Sequence, residues 1–85
     1  MKKISQGFVF NTEDSILLVT YKSKYGLTKI YKTKNNRFFT TFEVEGEEDE
    51  LDYISGGVTE VDEIIAEFSS SEGELTIDFS KFEEG

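Results

Sequence analysis

The chain has 85 residues, neither cysteine nor histidine, and a net charge of −9 at pH 7. This length allows one domain with a modest core, and the missing thiols and imidazoles exclude disulfides, Cys or Ser-His nucleophiles and the commonest metal ligands. No stretch approaches the ~18 apolar residues of a membrane span, and no apolar stretch of a signal peptide follows residues 1–5. We therefore expect a single cytosolic domain over 1–85 that is not an enzyme and holds no cofactor or metal.

The charge is divided unevenly along the chain. Residues 1–37 carry eight Lys or Arg against two acids, a net of +6, whereas residues 38–85 carry Lys81 against sixteen acids, a net of −15. If the two segments fold into different elements, the molecule has two electrically different sides. Acidic lipid repels an anionic surface, so we expect no membrane partner.

Alternating apolar residues predict strands in the first half of the chain. The patterns cover Lys2–Phe10, Ser15–Ser23, Leu27–Thr33 and Arg37–Val44, with turns at Tyr25-Gly26 and Asn35-Asn36. Two-residue loops at both turns set the register, with Tyr31 opposite Thr40 and Lys22 opposite Lys29. Because Lys22 and Lys29 carry like charges, a bulge in the first hairpin is the alternative.

The second half predicts one helix between two short strands. Thr59 is a favourable N-cap, and a stripe with i, i+3, i+4, i+7 spacing predicts a helix over about 59–70, formed by Val61, Ile64, Ile65 and Phe68. We predict strands at Leu51–Ser55 and Leu75–Phe79, an acidic loop at 45–50 and a frayed acidic tail at 82–85. The predicted fold class is α+β, an antiparallel four- to six-stranded sheet (a meander) with one amphipathic helix packed on it.

Acidic residues of the second half form two candidate rows. Alternate strand residues recur at about 6.6 Å on one face, and acids three or four apart share a helix flank. Duplex DNA carries one charge per roughly 3.4 Å on each strand, so two such rows offer a nucleic-acid-binding protein a comparable density of anions. The alternative is a solvated loop whose charges discourage sheet edges from associating. The candidate partner-binding residues are Glu43, Glu45, Glu47, Glu48, Asp49, Glu50, Asp52, Glu60, Glu63 and Glu67.

The predicted register also gives the sheet a second apolar face. It consists of Leu17, Val19, Tyr21, Ile30 and Phe39. Such a patch is covered by further strands, as in a small barrel, or it forms the interface of a homodimer or a target complex. The Lys and Tyr residues of the basic half alternate as in single-strand binders, but the charge of −15 on the remainder disfavours direct nucleic-acid binding.

In size, charge and lack of catalytic side chains, the chain resembles the small acidic inhibitors that phages and mobile elements direct against host nucleases, such as anti-restriction and anti-CRISPR proteins. Such proteins commonly occupy a nucleic-acid-binding groove. The resemblance implies an inhibitor that mimics nucleic acid and blocks a basic groove of a partner protein, in the host cytosol if a phage encodes it. The alternative is a non-enzymatic assembly or regulatory protein that oligomerises through the apolar sheet face.

Overall fold

The computed structural model describes residues 1–82, except for the side chains of residues 48 and 49. Within these residues the strands are β1 (Lys2–Ser5), β2 (Phe8–Asn11), β3 (Ile16–Ser23), β4 (Gly26–Lys32), β5 (Phe38–Val44), β6 (Glu47–Ile54) and β7 (Glu74–Ile77). The helix α1 spans Gly57–Ser69, and short 3-10 helices lie at Thr12–Asp14 and Phe79–Lys81.

Five of the strands form one antiparallel sheet in the order β6-β5-β4-β3-β7, while β1 and β2 form a separate two-stranded hairpin. The hairpin packs on one face of the sheet, which we call the hairpin face, and α1 packs on the other, the helix face. The predicted α+β class, with a meander and one helix packed on it, is confirmed.

The N-terminal hairpin corrects the prediction of one strand over Lys2–Phe10. Gln6 and Gly7 have φ values of 54° and 79°, and two successive residues with positive φ reverse the chain in a tight loop. Ile4 consequently pairs with Val9. Gln is not typical of such loops, so the sequence carried little sign of this turn.

The predicted register between β4 and β5 is wrong by one residue. Tyr31 lies opposite Phe39 instead of Thr40. The connection has three residues, because Thr33 N–H donates to Arg37 O at 2.8 Å and Asn36 takes a φ of 59°. A slip of one residue moves a side chain to the other face of the sheet, so the predicted faces change with it.

The hairpin of β3 and β4 also differs from the prediction of a two-residue loop at Tyr25-Gly26. Its loop is Lys24-Tyr25, which places Lys22 opposite Leu27 and separates it from Lys29. The hairpin does contain the bulge that we considered as an alternative. That bulge lies near the start of β3, between Leu17 and Val19.

Each face of the sheet has its own core. Buried residues of the helix-face core are Leu18, Val19, Ile30, Phe38, Ile54 and Val61. Those of the hairpin-face core are Phe10, Tyr31, Phe39 and Leu51. Aromatic stacking supports both cores, with ring centroids 4.2 Å apart for Tyr21 and Phe68 and 5.1 Å apart for Tyr31 and Phe39. Elements of the same chain therefore cover both sides of the sheet.

The predicted oligomer face is not a single face. Val19, Tyr21 and Ile30 are buried on the helix face, whereas Phe39 is buried beneath the hairpin. Leu17 alone of the five is exposed, at 39%. The shifted register and the bulge in β3 explain the error, because each reverses the alternation on which the predicted face depended.

The helix is confirmed to within two residues at each end, and its apolar stripe packs on the helix-face core as predicted. Its N-terminus is different, because Gly56 is the N-cap residue and Thr59 already lies in the first turn. Gly56 N–H donates to Glu60 Oε1 at 2.9 Å. A side chain from within the helix thus satisfies a backbone donor at its start.

Two predicted irregular segments need correction or fall outside the description. The acidic loop 45–50 is mostly strand, because Glu45 and Gly46, with φ values of 53° and 83°, form a tight turn and β6 begins at Glu47. β7 ends at Ile77, so Phe79 lies in a 3-10 helix. Of the predicted frayed tail, residues 83–85 lie outside the described chain.

Candidate functional site

The edge strand β6 carries one row of acids on the helix face. Residues opposite one another in antiparallel strands share a face. Glu47, Glu50 and Asp52 lie opposite Val44, Phe42 and Thr40 of β5. These β5 residues alternate along the strand with the same period as Phe38, which belongs to the helix-face core. These three carboxylates therefore project on the same side of the sheet as α1.

A β-bulge creates this row. The register between β5 and β6 shifts so that Glu50 lies opposite Phe42, whereas Glu48 lies opposite Glu43. Glu47 and Glu50 are three residues apart, and in a regular strand they would point to opposite faces. The extra residue restores them to one face. Sequence alternation alone does not reveal this arrangement.

The second row lies on α1. Glu60, Glu63 and Glu67 are spaced three and four residues apart, so they follow one flank of the helix. The opposite flank carries Val58 and Asp62, which border a groove together with Leu18, Lys32, Phe38 and Phe82.

The course of α1 directs its glutamate flank towards β6. The helix begins at Gly57, close after the end of β6 at Ile54, and its Phe68 stacks on Tyr21 of β3. It therefore crosses the helix face obliquely and leaves one corner of the sheet open between itself and β6. Because the Val58 flank faces β3 and β4, the glutamate flank borders this corner. We call the two rows together the acidic surface.

The floor between the two rows is not charged. Thr40 and Phe42 of β5 are partly exposed there, opposite Asp52 and Glu50. Sequence reasoning missed these floor residues because their face depends on the register. The acidic surface thus has an uncharged floor with carboxylates along two sides.

Five of the six acids on this surface are exposed and make no side-chain contact with a described cation or donor. Glu47, Glu50, Asp52, Glu63 and Glu67 are exposed. Within the described part of the chain, none of these five carboxylates accepts a hydrogen bond or forms an ion pair. Their mutual repulsion is therefore not offset by an ion pair with any described side chain.

Other predicted partner-binding residues have different positions. Glu43 lies on the hairpin face, where its carboxylate is 3.2 Å from Lys29 Nζ and only 17% of its side chain is exposed. Glu45 lies in the β5–β6 turn. Glu60 belongs to the α1 row, but its carboxylate accepts a hydrogen bond from Gly56 N–H. The side chains of Glu48 and Asp49 lie outside the description.

Cations on the hairpin face make internal contacts. Lys3 Nζ donates to Leu51 O at 3.0 Å, and the Arg37 guanidinium lies 3.8 Å from the centroid of the Phe8 ring. Such a cation–π contact anchors the hairpin to the sheet as well as placing a charge. The two sides of the sheet thus differ in how their charges are used.

Among the described residues, no three acidic side chains converge as metal ligands do. No described helix has the length and apolar character needed to cross a membrane. A scan against protein-family models finds no match, and searches of curated proteins and of solved structures find none either.

Proposed function

We propose that the chain is a small acidic inhibitor that binds a protein and performs no catalysis. In this proposal the acidic surface mimics nucleic acid and occupies a basic, nucleic-acid-binding groove, as a phage or mobile-element protein of the anti-restriction or anti-CRISPR type does. The protein acts in the cytosol, which is the host cytosol if a phage encodes it. The supporting observation is the pair of acidic rows on one side of the sheet, in which the carboxylates of Glu47, Glu50, Asp52, Glu63 and Glu67 have no partner among the described residues.

The spacing of the carboxylates suits this role. Glu50 and Asp52 are two strand residues apart, or about 6.6 Å, and successive acids of the α1 row are separated by about 4.5 to 6 Å along the helix. Duplex DNA presents one charge per roughly 3.4 Å of axis on each strand. Two adjacent rows therefore approach the charge density of the ligand that a basic groove binds.

Regular secondary structure beneath the two acidic rows favours affinity for a partner protein. Both rows are built on regular elements that pack on a common core, so association does not have to order a flexible acidic segment. Uncompensated charge of one sign also accelerates encounter with an oppositely charged groove, and salt screens that attraction.

The alternative, assembly through an apolar sheet face, has no exposed face to use, because the residues predicted to form it are mostly buried. Val19, Ile30 and Phe39 are each at most 1% exposed, and they lie on different sides of the sheet. We therefore do not retain it as a second candidate function.

Affinity capture from the source cell, followed by displacement with duplex DNA, tests the proposal. We expect the chain to capture a nucleic-acid-binding protein, and we expect DNA and added salt each to release it. A captured protein that binds no nucleic acid, or a complex that resists excess DNA, would contradict the proposal.

A further inference from the structure

The two edges of the sheet are protected differently. β6 carries a run of acids over Glu47–Glu50 and a bulge, and Lys3 donates to its Leu51 carbonyl. Charged side chains, bulges and covering contacts are devices that block the addition of another strand. β7 has no bulge, because its register with β3 runs without a shift, and it carries one charged residue, Glu74, instead of a run of them.

The outer edge of β7 presents unpaired backbone groups. Asp78 N–H donates to Leu18 O at 2.9 Å. Because backbone groups of alternate residues face the neighbouring strand in an antiparallel ladder, Thr76 also bonds to β3. The N–H and C=O groups of Leu75 and Ile77 then point away from the sheet. β7 is last in the strand order, so no described strand pairs with them.

Exposed apolar side chains border this edge. The N-terminal hairpin covers residues of β4, β5 and β6, and the hairpin face above β3 and β7 is left open. A groove of about 500 Å³ lies there, lined by Leu17, Thr20, Thr76 and Asp78 among others. Phe79, directly beyond β7, is 77% exposed. An added strand would find both backbone partners and apolar contacts for alternate side chains.

We infer that the edge of β7 binds an extended, basic segment of a partner protein by adding it to the sheet as an antiparallel strand. The charges select this occupant. Glu74 and Asp78 lie on the hairpin face at the two ends of β7. Lys22 lies opposite Glu74 on β3 and Lys81 lines the same groove as Asp78, so the edge itself is close to neutral. An added strand nevertheless places its side chains directly beside the two acids, where Lys or Arg is favoured over Asp or Glu. A second copy of the chain would bring the same two acids and a further net charge of −9. This edge is separate from the acidic surface, and neither proposal depends on the other.

Hydrogen exchange with a synthetic probe tests the inference. The probe is the capped peptide acetyl-Lys-Val-Lys-Thr-Lys-Val-amide, and its control is the same peptide N-methylated at alternate residues, which preserves charge but removes strand donors. We expect the probe to slow amide exchange at Leu75 and Ile77 by about tenfold or more, and the control to leave it unchanged. Unchanged exchange at saturating probe, or equal protection by the control, would overturn the inference.

Variants separate this site from the acidic surface. Thr76→Lys places a cation on the exposed side of β7, where it disfavours the addition of a strand, and should abolish the slowed exchange at Leu75 and Ile77. The uncharged Thr76→Gln should retain it. Reversing Glu47, Glu50 and Asp52 to Lys should leave protection of Leu75 and Ile77 in place. Loss of protection in that reversal would assign the peptide to the acidic surface and overturn the inference. A dimer that protects the same two amides without the probe would also overturn it, because the occupant would then be a second copy.

Discussion

The charged side chains on the two faces of the sheet make different contacts. On the hairpin face, Lys3, Lys29 and Arg37 contact a carbonyl, a carboxylate and an aromatic ring of the same domain. On the helix face, the exposed acids of β6 and α1 have no such contacts among the described residues. Charge on the hairpin face therefore contributes to holding the fold, while the exposed acids of the helix face make no described contribution to it.

The faces also differ in what fills their cores. The hairpin face is closed by stacked aromatic rings around Phe39, which is fully buried, whereas the helix face is mainly aliphatic and its Phe68 is only partly buried. A two-stranded hairpin is marginal on its own, so its attachment depends on these aromatic contacts. Loss of hairpin-face packing should therefore be the more damaging.

Substitution of the two phenylalanines has the largest expected effect and tests this difference. Phe39→Ala should cost about 3 to 5 kcal/mol, comparable to the whole stability of a small domain. Phe68→Ala should cost about 1 to 3 kcal/mol, because the ring is partly solvated and the site can relax. Urea unfolding measures both, and an equal or larger loss for Phe68→Ala would contradict the comparison.

Neutralising one acid on each face should have a smaller effect, and on one face only. Glu43→Gln removes the ion pair with Lys29 in a partly buried setting and should cost about 1 kcal/mol. Glu50→Gln should change the free energy of unfolding by less than about 0.5 kcal/mol, because Glu50 has no described partner. Urea midpoints at constant slope give both values. Similar costs at the two positions would remove the distinction between structural and available acids.

The start of α1 gives the smallest expected effect. Glu60→Ala should cost about 0.5 kcal/mol, because its carboxylate accepts from Gly56 N–H, and Thr59→Ala should cost less. Thermal unfolding of the two variants compares them. A larger loss for Thr59→Ala would restore Thr59 as the cap and contradict the observed helix start.

The sequence predicted elements well where periodicity is local. The stripe from Val61 to Phe68 fixes the helix, and alternating residues fix the central strands. It failed at loops, where one residue decides the register. The β4–β5 loop has three residues instead of two because Asn36 takes positive φ, and the turn at Gln6-Gly7 lacks a typical signal.

The acidic surface was predicted in part. Helix periodicity predicts that Glu63 and Glu67 share one flank. The row of Glu47, Glu50 and Asp52 depends on a bulge that no sequence pattern indicates. Glu43 fits the sequence pattern of the row, yet strand pairing places it beside Lys29 on the other face. Contacts between residues distant in sequence decide these positions, and composition does not encode them.

The most direct test compares two charge reversals of equal size on the partner obtained by affinity capture. Glu47→Lys, Glu50→Lys and Asp52→Lys together alter the acidic surface, and Glu13→Lys, Asp14→Lys and Glu72→Lys together alter exposed acids elsewhere. Each set changes the net charge from −9 to −3.

The dissociation constant at physiological salt, measured for both variants and the wild type, distinguishes a specific surface from net charge. We predict that the first set weakens binding by about 100-fold or more and the second by less than about fivefold. Equal weakening by the two sets, or no weakening by the first, would contradict the assignment of the acidic surface as the binding site.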